Sequence, residues 1–290
     1  MSTLGPLSAI AALLLCLLSQ ASPPSSSPDA GWKLVWADEF NTPGPPDPAN
    51  WKYEAGFVRN HELQWYQRDN ARCENGLLII EARRERKRSP SYRADLAGST
   101  RGDDWKQSRE WIDYTSASLN TRGLHQWLYG RFEMRARLDT RPGLWPAFWT
   151  LGTAAEWPFG GEIDIMEYNR GTLLANVASS RDERGNVAWF SVKKPLSELG
   201  DATWTNQFHV WRMDWDADTI KLYVDDRLLN AVDVAATRNG DGTGVIPFRL
   251  PQFLLLNLAV GGDAGGDPAD TKFPARFEVD YVRVYQRAGL

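Results

Sequence analysis

The stretch Gly160–Tyr168, GGEIDIMEY, places three carboxylates, Glu162, Asp164 and Glu167, in otherwise apolar company. Side chains alternate faces along a strand, so Glu162 and Asp164 share one face and Ile163 and Ile165 the other. Strict alternation would turn Glu167 into the isoleucine layer, at a cost on the order of several kcal/mol if unpaired. A β-bulge at Ile165 or Met166 adds one residue and returns Glu167 to the face of the other two acids. The spacing therefore predicts three acids in a row on one face. Like charges held that close suit acid–base chemistry or metal binding. Retaining glycoside hydrolysis needs one carboxylate as nucleophile and a second as proton donor, roughly 5–5.5 Å apart. Glu162 and Glu167, with Asp164 between them to tune both, fit that span, and their mutual repulsion would keep one acid protonated. A solvated acid cluster fits poorly, because WPAFW, WPFGG and MEY flank the acids. A metal site would have little histidine to draw on, since the chain has only His61, His125 and His209. The residues alone leave these two readings open beside catalysis.

The elements that must position the acids read as β. GRFEMRARL (130–138) alternates Phe132, Met134, Ala136 and Leu138 with Arg131, Glu133, Arg135 and Arg137, a half-buried strand with one wet face. TIKLYVDDR (219–227) alternates and then turns, and GLLIIEA, PQFLLLNLAV and FEVDYVRVY are further strands punctuated by Gly, Pro, Asn and Asp. No long stretch holds helical period. Many strands and few helices predict an all-β sandwich of two packed antiparallel sheets. The segment Arg83–Ile112 is polar and irregular and reads as a solvated loop. DWDADT (214–219) lacks the glycine and terminal glutamate of a calcium loop and reads as a hairpin turn.

The chain of 290 residues, 42% hydrophobic and 24% charged, can bury one large core. A net charge of −4 gives no reason to expect nucleic acid or an anionic membrane as partner. The 14 tryptophans exceed what a core needs, and an indole face is what packs against a pyranose ring. AIAALLLCLL (9–18) is an apolar run too short to span a bilayer, and SQA (19–21) follows it as a small-residue cleavage site. Residues 1–21 are therefore expected to be an export signal, 22–31 a Pro/Ser-rich linker, and 32–287 one domain of a secreted protein, extracellular or periplasmic, with no membrane attachment after cleavage. Cys16 would leave with the signal. Cys73 is then single and reads as a small packed residue. The protein reads as a monomer.

With these motifs in view, the chain resembles glycoside hydrolase family 16 in its bulged, laminarinase-like form, E-x-D-x-x-E. EIDIME carries the signature. WKLVWADEFN, RNHELQWYQRDNARCENGLLIIEARRE, YTSASLNTRG, YGRFEMRARL, GLWPAFWTLG, FHVWRMDWDADTIKLYVDD, LLLNLAVGGD and FEVDYVRVYQ follow the family's order over nearly all of 32–287. The resemblance implies a β-jelly-roll whose concave sheet forms a sugar cleft, and retaining endo-hydrolysis of a β-linked polysaccharide with no organic or redox cofactor. It implies Glu162 as nucleophile, Glu167 as acid/base and Asp164 as assisting acid. Trp145, Trp149 and Trp157 are the stacking candidates for the cleft walls, with core packing the alternative for each. Asn60 and Glu62, beside Arg59, are candidates to meet sugar hydroxyls, and the family pattern turns Asn176 and Asn257 to the cleft.

A structural calcium ion, common in the family on the convex side, would fall to Glu39, Gly76 and Asp280. Two departures bear on substrate: Asn176 stands where many β-1,3-glucanases of the family have histidine, and GGDAGGD lacks the tryptophan that often follows the glycine pair. The expected substrate is β-1,3-glucan of the laminarin type, ahead of mixed-linkage glucan and galactans. A transglycosylase using the same acids and a non-catalytic β-glucan-binding protein are the other classes considered.

Overall fold

The computed structural model describes residues 31–287. The expected signal (1–21) and all but the last residue of the linker lie outside the described residues. In chain order the strands are β1 (Trp32–Asp38), β2 (Lys52–Tyr53), β3 (Gln64–Tyr66), β4 (Ala71–Glu74), β5 (Leu77–Arg88), β6 (Trp111–Ser116), β7 (Ser118–Asn120), β8 (Gly130–Arg137) and β9 (Leu144–Gly152). There follow β10 (Glu162–Asn169), β11 (Thr172–Ser180), β12 (Val187–Pro195), β13 (His209–Trp215), β14 (Thr219–Val224), β15 (Arg227–Asp233), β16 (Gln252–Val260) and β17 (Ala275–Arg287). Two single-turn helices, α1 (Trp105–Ser108) and α2 (Gly262–Gly265), sit in connections.

The strands form two sheets packed face to face. One runs β12-β11-β10-β9-β16-β7-β2, the other β15-β14-β13-β8-β17-β5-β6-β3, with β1 added on β17 and β4 on β5. This is the expected sandwich of jelly-roll type, and its strand pairs are antiparallel except β3–β6, which runs parallel. The core lies between the sheets. Phe132, Met134 and Ala136 of β8 and Trp211, Met213 and Trp215 of β13 meet Phe148 of β9, Leu254, Leu256 and Leu258 of β16, and Ile163 of β10 in one cluster. All nine residues of β16 are buried, because its other face is the floor of the cleft. That face carries a separate apolar cluster of Ala147, Trp149, Phe253 and Leu255. Cys73 is free and packed in the main core, and burial pushes its thiol up to about 11. DWDADT is the β13–β14 hairpin turn, with Asp216 accepting the backbone N–H groups of Asp218 and Thr219.

The segment from Arg83 to Ile112 is not the solvated loop its polarity suggests. Strand β5 continues through Arg88, paired to β6. Its stem is held by cations over rings, Arg84 on Tyr114 and Phe273 and Arg86 on Trp111. A strand polar on both faces carries no apolar alternation, so the period signal was absent. The rest of the segment also folds: Trp105 of α1 is 5% exposed and packs with Phe57 and Ile112.

Candidate active site

Strand β10 carries the acids, and its register shows how. Asp164 lies opposite Trp149 of β9 and Asn176 of β11, and Glu167 lies opposite Ala147 and Leu174. Between them the register shifts, Ile165 having no partner on either side. Ile163, Ile165 and Met166 all enter the core, each 1% exposed or less. The bulge sits where the spacing predicts it, and three acids share the concave face.

A cleft of about 950 Å³ opens on that face. It is lined by Glu162, Asp164 and Glu167 and by all seven sugar-contact candidates, Asn60, Glu62, Trp145, Trp149, Trp157, Asn176 and Asn257. Several do work that differs from simple stacking. The Trp145 indole N–H donates to Glu167 Oε1 at 2.7 Å. Asn176 Nδ2 donates to Asp164 Oδ2 at 3.0 Å and to Glu167 Oε2 at 3.3 Å. Its Oδ1 is buried without a partner, so an acceptor waits beside both acids. Trp157 is 47% exposed and also hydrogen-bonds Glu162. Trp149 is 8% exposed, with the Arg59 guanidinium 5.1 Å over its ring, and it serves more as floor than as platform.

Beneath the floor runs a chain of hydrogen bonds. Trp149 Nε1 donates to Asn257 Oδ1 at 2.8 Å, and Asn257 Nδ2 donates to Tyr66 Oη at 3.1 Å. Tyr66 bonds Glu62, which also accepts from Gln64 Nε2 at 2.6 Å. Glu62 is 2% exposed and burial raises its pKa, so it acts as an anchor within this network. Gln64 and Tyr66 are site residues that the sequence reading does not include. The alternation in ELQWY carried that signal, with Gln64 and Tyr66 both fully buried.

Burial sets the protonation of the acids. It pushes Glu162 up to about 7, opposed by a hydrogen bond from Asp164 and reinforced by the charge of Glu167. Glu167 rises to about 8, through burial and then the charge of Asp164, against the Trp145 hydrogen bond. Asp164 is driven well above the ordinary carboxylate range by burial and by Glu162. Asp164 and Glu162 share a hydrogen bond that lowers Glu162 and raises Asp164, so the proton of the pair is held on the Asp164 side. One carboxylate ionised and the other protonated is the division of labour that a nucleophile and a general acid require.

The rim at Arg59–Glu62 is fixed from two sides. Asn60 and His61 adopt left-handed φ of 55° and 48°. Gly262 packs so close that a Cβ there would lie 2.6 Å from the Asn60 carbonyl oxygen, and Asp263 N–H donates to that oxygen at 2.9 Å. From below, Arg109 donates Nη1 to the Glu62 carbonyl at 2.5 Å and Nη2 to the His61 carbonyl at 2.9 Å. Its guanidinium lies 4.9 Å from the ring centres of both Phe57 and Trp105. The folded 83–112 segment therefore braces the cleft. Arg109→Ala is expected to raise KM about tenfold, the loss of one or two charged hydrogen bonds, with a smaller change in kcat. Steady-state kinetics on a hydrolysed polymer would check this, and Arg109→Lys should recover only part of the effect because a single ammonium cannot fork to both carbonyls.

The side-chain oxygens of the two acidic calcium candidates are already engaged. Glu39 accepts two bonds from Arg283, at 2.7 and 2.9 Å, and Asp280 accepts from Arg135 at 2.6 Å. Each carboxylate is already balanced by a guanidinium that would repel a divalent cation. Gly76 turns the β4–β5 hairpin at φ 74° and offers only its carbonyl. Among the described residues no group of three or more His, Cys, Asp or Glu is placed to hold a metal.

The model of the glycosyl hydrolases family 16 matches residues 60–283. The chain belongs to this family. A β-glucanase of Rhodothermus marinus is 38% identical over 275 residues, covering 88% of this chain and 85% of its own. A glucan endo-1,3-β-glucosidase of Cryptopygus antarcticus is 34% identical, covering 87% and 91%. Among solved structures, one from work on endo-acting O-glycanases, expressed by prominent members of the human gut microbiota to initiate mucin breakdown, superposes with a TM-score of 0.79 at 35% identity, covering 92% of this chain and 94% of that one. The matched residues include β10, whose bulge aligns the three acids.

Proposed function

We propose that the protein is an exported, retaining endo-β-glycanase that cuts β-1,3-glucan of the laminarin type. The observation that carries the reading is the register shift in β10 that sets Glu162, Asp164 and Glu167 together on the cleft face; burial raises all three acids, so one of them can hold a proton while another is ionised. In the first step the Glu162 carboxylate attacks the anomeric carbon as the bond to the leaving oxygen breaks, and Glu167 gives its proton to that oxygen. A glycosyl ester on Glu162 remains. Glu167, now a carboxylate, then takes a proton from water, which attacks the same carbon and frees Glu162. Two inversions give net retention. The β-1,3 linkage rests on the glucanase relatives.

The similarity to an O-glycanase structure, together with Asn176 beside the acids where a histidine is common, favours a second reading: cleavage within O-glycan chains. A reducing-sugar assay on laminarin, mixed-linkage β-glucan, agarose, xyloglucan and mucin O-glycans, run beside Glu162→Gln, separates the two. Release from laminarin that the substitution abolishes supports the first reading. Release from mucin glycans alone replaces it with the second. Binding without release from any polymer moves the assignment to a glucan-binding protein. Product profiles with added acceptor sugar distinguish hydrolysis from transglycosylation.

A further inference from the structure

Strand β12 is the edge of the concave sheet, and one of its faces belongs to the cleft. Its residues pair across β11 in register: Trp189 with Ala178, Ser191 with Asn176, and Lys193 with Leu174. Those β11 residues lie opposite Glu162, Asp164 and Glu167 respectively. Trp189, Ser191 and Lys193 all line the cleft. The row through the nucleophile thus ends on an indole, Trp189, 47% exposed like Trp157. The row through the acid/base ends on an ammonium.

The cleft has a second cation. Arg170, in the turn between β10 and β11, also lines the cleft. It lies against Gly266, where a Cβ would come within 3.4 Å of its Nε. Two other cations around the site are already paired. Arg59 pairs with Glu54, and Lys194, on the opposite face of β12, pairs with Glu198 at 2.7 Å. Asp263, on the same rim as Arg170, hydrogen-bonds His61 at 3.1 Å. Glu167 holds its proton to about pH 8, so it does not neutralise Lys193 at neutral pH. Lysine on an edge strand often serves only to discourage sheet-to-sheet pairing. Lys193 instead points into the cleft, where its charge favours ionisation of the group meant to be the general acid. A neutral glucan would bring nothing to offset that.

We propose that Arg170 and Lys193 form a subsite for an anionic substituent, a sulfate ester or carboxylate, on the sugar of the leaving group. The side of the cleft rests on the proposed acid/base role of Glu167, because the acid protonates the leaving oxygen and groups beside it face the departing chain. Guanidinium and ammonium together suit an oxyanion through charge-assisted hydrogen bonds. The indoles beside Glu162 then hold the uncharged face of the chain on the other side.

The test uses laminarin and partially sulfated laminarin with the native enzyme and the Arg170→Gln, Lys193→Gln double variant. Relative binding is read by affinity electrophoresis, kcat/KM by reducing ends, and product ends by mass spectrometry. The expected result is a preference for the sulfated chain that weakens with salt, falls about tenfold in the double variant, and leaves sulfated sugars enriched at new non-reducing ends. A sulfated-to-neutral ratio identical in variant and native protein, or sulfates spread equally over both new ends, overturns the proposal. If neither polymer is cut, the glucanase reading fails on its own, and the electrophoretic ratio still decides the anion subsite. Matched melting temperatures of variant and native protein guard against a folding artefact.

Discussion

Glu162→Gln is expected to fold normally and to lose about three to five orders of magnitude in kcat, because an amide cannot form the glycosyl ester. The side chain keeps its shape, and its neighbours Asp164 and Trp157 keep a hydrogen-bond partner. The native enzyme should show a narrow bell in kcat/KM against pH. The acid limb is expected near 7, where the nucleophilic carboxylate forms, and the alkaline limb near 8, where the proton to be donated is lost. Neighbouring acids this close titrate as a set, so the limbs belong to the constellation rather than to one residue. A rate still rising below pH 5 would contradict the assignment, since both glutamates would then be protonated. A variant retaining a tenth of native kcat would exclude Glu162 as the nucleophile.

Glu167→Gln is expected to be inactive on unactivated polymer and, at pH 8, more stable than the native protein. The folded protein holds the Glu167 proton to about 8, whereas an ordinary glutamate releases it near 4.5. Between those values the unfolded chain binds fewer protons than the folded one, so stability falls as pH rises through this window. Burial, the leading cause, is thus a cost that catalysis imposes on the fold. Glutamine has no proton to lose and removes the cost, on the order of 2–4 kcal/mol at pH 8. For a domain of this size that is roughly 4–12 °C in Tm. At pH 4, below the unfolded value, the two proteins should melt within a degree or two, the carboxyl being mostly protonated in both states. Calorimetry at the two pH values reads the difference directly. Equal melting temperatures at pH 8 would mean that Glu167 is ionised in the resting protein, and the acid role would pass elsewhere.

The site was legible in EIDIME because two physical rules collide there. Period two puts Glu162 and Asp164 on one face, and the penalty for burying a charge among isoleucines forbids Glu167 on the other. Only a bulge satisfies both, and the register of β10 has one. The strands β8, β14, β16 and β17 were legible for the same reason, an apolar period with punctuation. The polar stem of β5 was not, because Arg83–Arg88 is solvated or ion-paired on both faces and its strand state comes from pairing with β6. Nor was the cleft face of β12, where Trp189, Ser191 and Lys193 alternate with half-buried neighbours at a sheet edge.

What the sequence by itself determined is the local: which stretches are strands, which face each side chain takes, and that three acids share one. These follow from backbone geometry over a few residues. What only the tertiary structure decided is who meets whom across the sheets. Trp145 reaches Glu167 across β9 and β10, and Asn257 reaches Tyr66 over 191 positions of chain. Arg109 braces the Glu62 carbonyl from a segment that reads as a solvated loop. Arg283 occupies Glu39 from 244 positions away, which removes a carboxylate that the motif alone assigns to calcium. The pKa order of the acids is likewise tertiary, since desolvation depends on the walls that close over β10 rather than on the residues beside each acid in sequence.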